Sequence, residues 1–579
     1  MRSIVTAASL IRSLVLGTIT TTATIGMVTS VVGCKDESQP EYWVDKLEDD
    51  KWRPTAIKRL AQFFEDAVTK AGSDHTKPEV TQLLDQVVEP LSKSYVDHYG
   101  DLNQKSRIAL IKLIGSMKDP RSEPALIKAF EEFASSGRDG ADDVRWAALA
   151  AGELKLEGTA PSMLAAFDKI RAGSKEGAKS YQDLNQAMVK MPNKAWVEPL
   201  LQKLVADIEK PNAKDTDSVA DFKNQLFWQT TAAQILGEIG DASAVERLLK
   251  VMLDPHKADI QMTTIVALAK IGKPAVDRTV KLLNDEDKGL ADFAAIKIKK
   301  ATKKAPTGKP HIQTAALVLG TIGNSAAEIA MITALGKQED ESNKAVIARE
   351  LAKLPHTAKS QAAFKAAVES ISADTLIPPH RNALAVLSES AGMFFDSSMT
   401  PWLLETAGKV KGDSEMRRNA QVAMTVTAMK LMDKSQLSKV KRAVNRYGSK
   451  MEKDSFKLAE AMVTKCDKNL ACYLDESEKS ANQERKTQFA GIKAAYMVGT
   501  LGQAATADEV IKRLDGIENY AVRYVAGQAI DHLLPAGSGT VADALEKIIE
   551  RNKKTADKKR IGADAPIKQV MYRVRSRAR

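Results

Sequence analysis

The feature that most restricts the fold is a segment that recurs along the chain. Each copy reads as a small-and-aliphatic helix, a short turn and a second amphipathic stretch. The clearest copies begin at Trp146 (WAALAAGELKLEGTAPSMLAAF), Thr231 (TAAQILGEIGDASAVERLLKVM), Thr314 (TAALVLGTIGNSAAEIAMITAL) and Lys493 (KAAYMVGTLGQAATADEVIKRL). Weaker copies begin at Ile108, Thr264 and Ile347. Self-similarity of this kind marks a repeat architecture. A helix pair this short cannot bury both apolar faces alone, so stacking of neighbours must complete the core. Composition agrees: aromatics are only 5% of the chain, and the abundant Ala, Leu, Lys and Glu are helix formers. Strand-type alternation is largely absent, so almost no sheet is expected.

The turns carry their own chemistry. Gly240, Gly272, Gly323, Leu354 and Gly392 mark successive turns 32, 51, 31 and 38 residues apart, the long gap holding an insertion around Lys297 to Pro310. A Gly past a helix end can take the left-handed conformation that closes it. Asp241 and Asn324 follow and can cap the next helix. Pro124 and Pro274 stand where a helix begins, and Pro costs little there. Close-spaced Ala lets helices approach.

The pattern resembles HEAT repeats, particularly the bacterial HEAT-like type. That family often carries an acidic residue and an Arg at the start of the second helix of a unit, with Ala on the buried side. Here KWRPTAIKRL, DDVRWAAL, DSEMRRNA and NYAVRYVAG place Arg53, Arg145, Arg417 and Arg523 at that position, and Arg107 and Arg381 match more loosely. The resemblance implies a structural role for these Arg, reaching acids or carbonyls of a neighbouring unit. It implies an all-α solenoid of about eleven to thirteen stacked antiparallel helix pairs over residues 42–550, HEAT-like or armadillo-like. Copies are poor at 71–100, 174–224 and 431–486.

The first 33 residues contain Arg2 and Arg12 and no acid, then a weakly apolar run from Ser13 to Gly33. These are the parts of a secretory signal. The run ends in VVGC, which resembles a lipobox and implies cleavage before Cys34 and diacylation of its thiol. The alternatives are an uncleaved anchor and an ordinary signal. Six Thr and two Ser in the run make it a poor permanent span. On this reading 1–33 is removed and 34–41 is a short lipid-linked tether. Two or three acyl chains would hold the protein firmly on a membrane facing the periplasm or exterior.

Net charge is +11, but eleven Lys or Arg and two Asp crowd into 551–579, and the signal adds two more cations. The body from Cys34 to Glu550 is therefore near neutral. The segment 551–579 reads as a basic tail, either a solvated end or an attractor of anionic lipid or polysaccharide. Nothing points to specific nucleic acid. Beyond Cys34 the cysteines are Cys466 and Cys472. One unbroken helix would hold them on different faces, but the intervening DKNLA favours a turn, and an oxidising compartment favours a disulfide. Two separate buried thiols remain the alternative.

Signs of catalysis are missing. No two of His75, His98, His256, His311, His356, His380 and His532 have metal-ligand spacing, so each reads as a surface or capping residue. There is no HExxH and no GxSxG, and the Gly before Lys273 and Lys309 belongs to no P-loop. The carboxylate pairs Asp49–Asp50 and Asp142–Asp143 stand at helix starts, where acids suit the dipole. No cofactor or metal is expected. The sequence favours a non-enzymatic scaffold of the cell envelope that binds a protein or peptide. Its rivals are an enzyme or accessory subunit like the HEAT-like lyases, and a structural envelope protein that grips anionic polymer.

Overall fold

A computed structural model describes residues 36–136, 141–171, 175–208, 211–306, 308–479, 488–554, 562 and 564–578. The chain is an all-α solenoid of helices packed in neighbouring pairs. Strand is confined, among the described residues, to one antiparallel ladder pairing Leu376 with Asn382 and Ile377 with Arg381. No described helix is long and apolar enough to cross a membrane. The contacts divide the chain into two compact units, one ending at Ser106 and the other starting at Arg107.

In the first unit, helices Arg53–Lys70 and Pro78–Asp97 close over the short helix Pro40–Asp45. Leu47, Leu60, Val87, Leu91 and Tyr95 form its core.

In the second unit the first helix of one repeat packs on the first helix of the next. Ala141–Leu154 lies on Lys175–Lys190, Thr216–Ile239 on Ala258–Ile271, Pro310–Ile322 on Glu341–Leu351, and Gln488–Leu501 on Tyr520–Leu533. The repeated motif contains two glycines, and they do different work. The second closes the helix: Gly240 and Gly323 both take φ +70. Asp241 and Asn324 then accept the N–H of Ser243 and Ala326. The first glycine faces the next repeat. A Cβ on Gly237 would stand 2.7 Å from Cα of Ala267, and one on Gly152 would stand 2.7 Å from Cα of Ala187. Gly320 and Gly499, at the same motif position, are crowded by Glu350 and Phe395. The repeat thus reserves one position for backbone-close stacking. Gly392, read from the sequence as a helix-closing turn, differs. Its φ is −64 and Phe395 takes the left-handed conformation instead, while a Cβ on Gly392 would meet Tyr496.

The insertion expected around Lys297 to Pro310 begins inside an additional helix, Lys288–Thr302. A larger difference lies at the C-terminus. The sequence places the end of the array at 550 and a basic tail beyond it. Instead, helix Gly539–Lys554 runs through that boundary, and Ala565–Arg577 is a further helix packed on Tyr520–Leu533 and Gly539–Lys554. The same helix also touches Ala258–Ile271 and Pro310–Ile322, so the end of the array meets its middle. Ile567, Val570 and Val574 are fully buried. The physical reason is pairing. Arg551 meets Asp515, Arg573 and Arg577 meet Asp531, and Arg575 meets Asp543 and Glu546. A charge count along the sequence cannot see carboxylates supplied by other helices.

Candidate functional site

Residues 1–33 and Cys34, the expected signal and lipid acceptor, lie outside the described residues. Cys466 and Cys472 are joined by a disulfide with their Cα atoms 5.4 Å apart. Helix Lys450–Cys466 ends there, Asp467 takes φ +50, and a new helix starts at Leu470. The Asn469 side chain accepts the N–H of Cys472 and starts that helix.

Three of the six motif arginines, Arg107, Arg145 and Arg523, tie units together. Arg107 meets Asp143 at 3.1 Å and Arg145 meets Asp183 at 2.9 Å, each reaching the following repeat. Asp143 is consequently buried, which a helix-dipole role alone does not explain. Arg53 donates to the carbonyls of Leu47 and Glu48. Arg523, fully buried, donates to the carbonyls of Leu514 and Ile517 and to Oδ1 of Asp564, whose Oδ2 accepts from Asn552. Arg381 meets only exposed Glu389, and Arg417 is exposed. Two buried lysines that the motif did not single out do similar work. Lys257 donates to the carbonyls of Leu204 and Ala206, and burial pulls its pKa down to about 8. Lys493 donates to the carbonyls of Lys430 and Met432, and burial holds its pKa well below the ordinary lysine value.

A buried polar cluster gathers where the C-terminal helix is seated. Asp531 accepts from Arg577 Nη2 at 2.6 Å and faces Arg573 Nη2 at 2.7 Å. Burial alone would raise its pKa, but the two guanidiniums outweigh that and hold it below the ordinary value. Arg577 also donates to the carbonyls of Gly323 and Leu534. Beside them, fully buried Glu350 accepts from Arg349 and Lys353. His356 donates from Nε2 to the Met393 carbonyl at 2.7 Å, and its ring lies 4.3 Å from Phe394 and 5.4 Å from His532. His532 in turn lies 5.0 Å from Phe395. Burial drives His356 down to about 4 and also lowers His532. A cavity of about 10 Å³ among Lys353, His356, Gln528, Asp531, His532, Arg573 and Arg577 has room for about one water. This cluster is a fastening, with no space for a substrate. His311, 6% exposed and held at 3.1 Å by Asp285, is likewise not a surface residue. These histidines escape sequence reasoning because their partners come from distant repeats.

In the first unit the fold brings Asp50 to His98 and Asp101, which lie three residues apart in the chain. One ligand atom each from Asp50, His98 and Asp101 lie within 4.8 Å of one another. Glu48 Oε2 stands 3.2 Å from His98 Nε2, a carboxylate–histidine arrangement that can orient an imidazole toward a cation. Asp50 and Asp101 also line a cavity of about 230 Å³ with Arg53, Asn103 and Ser106. Two carboxylates and an imidazole can hold a divalent cation. Arg53 at 2.7 Å from Asp50 and Lys93 at 3.2 Å from Glu48 already neutralise part of the charge.

The family model described as the PBS lyase HEAT-like repeat matches residues 228–254. That stretch runs from within helix Thr216–Ile239, through the Asp241-capped turn, across helix Val245–Leu253. No curated protein matches the chain. The match falls on one of the clearest copies of the motif, and the chain thus carries a HEAT-like repeat within an all-α solenoid.

Proposed function

We propose that the protein is an exported, lipid-anchored scaffold of the bacterial cell envelope, without catalysis of its own, that binds a protein or peptide. The observation that carries the scaffold reading is the stack of helix pairs with the HEAT-like match at 228–254. Arrays of this kind use extended surfaces to hold partners. The C-terminal helix occupies part of the first-helix layer, which directs a partner to other faces. Met262, Ile296, Ile329 and Tyr520 are each more than half exposed and are candidate apolar anchors. The anchoring reading rests on VVGC at 31–34. Crosslinking in intact cells, followed by capture and mass spectrometry, tests both parts. The expected result is one enriched partner and an acylated peptide beginning at Cys34. Membrane association that persists in Cys34→Ser, with no acyl group on the wild type, overturns the anchor. Turnover that tracks the purified chain overturns the non-enzymatic reading. One observation favours an enzyme or accessory subunit, the Asp50–His98–Asp101 group, and activity lost in His98→Ala would reveal it.

A further inference from the structure

Four of the C-terminal cations, Arg551, Arg573, Arg575 and Arg577, are paired within the fold, so a charge count along the chain does not locate the surface's positive character. Between Lys434 and Met451 the chain carries six Lys or Arg and no Asp or Glu. Helix Leu437–Tyr447 lies in this stretch, in one of the segments where the repeat motif is poorest. It buries Val440, Ala443, Val444 and Tyr447 and exposes Lys439, Lys441, Arg442 and Arg446. Lys439, Arg442 and Arg446 follow at i, i+3 and i+7, which places them on one stripe about 10 Å long. Among the described residues, no carboxylate lies within salt-bridge distance of these three or of Lys450. Lys434 and Lys441 have only looser neighbours, Asp467 at 3.8 Å and Glu460 at 3.9 Å. The Arg446 guanidinium stands 5.1 Å from the Tyr447 ring. No large apolar side chain is exposed on this helix; just past its end, Met451 is 71% exposed.

This combination selects a kind of partner. A protein interface needs an apolar core with aromatic or aliphatic anchors, and the stripe has none. A row of cations without acids matches a surface of repeated phosphates, and one protruding Met can enter between headgroups. We propose that Lys439, Arg442 and Arg446, with Lys450 and Met451 beside them, form an electrostatic contact for an anionic phospholipid bilayer. The contact does not depend on a lipid at Cys34, and its test uses protein without one.

The experiment is vesicle co-sedimentation of the full chain carrying Cys34→Ser. Vesicles of phosphatidylcholine alone are compared with vesicles containing about a third phosphatidylglycerol, a strongly anionic surface. The readout is the ratio of the two partition coefficients; Arg2 and Arg12 of the N-terminal run are common to every variant, so their contribution cancels when variants are compared. The triple variant Lys439→Glu, Arg442→Glu, Arg446→Glu is expected to lower that ratio about a hundredfold or more at low salt, since each basic side chain near such a surface contributes about fivefold. A second triple, Lys299→Glu, Lys303→Glu, Lys304→Glu, makes the same change in net charge at another exposed basic segment. It is expected to keep most of the preference. Unchanged helicity by circular dichroism confirms that both triples are folded. Absence of any preference for anionic vesicles, or equal loss in both triples, overturns the proposal. The first outcome points to an acidic protein partner, and the second to net charge alone. Failure here leaves the acylation result at Cys34 untouched.

Discussion

Replacing Asp564 tests whether the end of the chain belongs to the fold. Its carboxylate is 1% exposed, and Oδ1 receives Arg523 Nε at 3.0 Å and Nη2 at 2.5 Å. Its Oδ2 receives Asn552 at 2.8 Å. Arg523 is 0% exposed and its remaining Nη1 is committed to the carbonyls of Leu514 and Ile517. Asp564→Ala therefore strands a guanidinium where water cannot reach it. Breaking a buried pair by removing one partner costs about 3–5 kcal/mol. Because long arrays do not unfold as one unit, the assay should be local. Amide hydrogen exchange over Tyr520–Leu533 and Ala565–Arg577 reads the opening of the two helices that this network joins. A loss of that size accelerates exchange there by about a hundred- to several-thousand-fold, with little change near Ala141–Leu154. The double variant Arg523→Met, Asp564→Leu removes both charges and should recover much of the loss, because paired apolar replacement of a buried ion pair is often near neutral. If Asp564→Ala costs less than about 1 kcal/mol, the size of a weak surface pair, residues 564–577 are not seated as described.

Other consequences follow from the same contacts. Gly237→Val should destabilise by about 1–3 kcal/mol in urea unfolding, because the added Cβ meets the backbone of Ala267 and no side chain can swing aside; an unchanged midpoint would count against backbone-close stacking. His356 has a folded pKa of about 4, below its unfolded value near 6.5, so the unfolded chain binds more protons between those values. Its contribution is complete above about pH 6.5 and is lost as pH falls toward 4, at up to about 1.4 kcal/mol per pH unit, with His532 adding in the same direction. Lys353, Arg573 and Arg577 oppose the added charge while Asp531 partly accommodates it, and His356→Phe should flatten the acid dependence measured by thermal melting. Reduction of Cys466–Cys472 closes no large loop, so the expected loss is only about 2 kcal/mol, confined to exchange in Lys450–Cys466 and Leu470–Lys479. Global unfolding on adding dithiothreitol would contradict that.

How far the sequence reaches can be judged residue by residue. The motif around Thr231 already contains a helix, a left-handed Gly240, a capping Asp241 and a second helix, because caps and turns act over a few residues. The first glycine of the motif, Gly237, was equally visible, yet its purpose lies in Ala267 of the next repeat. His98 and Asp50 meet only because two long helices fold back on each other, and no spacing rule spans that distance.

The sequence by itself determined the repeating unit, the helical class and the candidate acyl acceptor at Cys34, because periodicity, capping and short motifs are local. Tertiary structure decided where charge resides. Eleven cations after residue 550 look like a solvated tail when counted along the chain. In the fold, four of them, Arg551, Arg573, Arg575 and Arg577, are taken up by Asp515, Asp531, Asp543 and Glu546. The near-neutral body, meanwhile, displays the unmatched stripe at Lys439, Arg442 and Arg446. An ionic partner is set by distance in space, which falls steeply with separation and owes nothing to position along the chain.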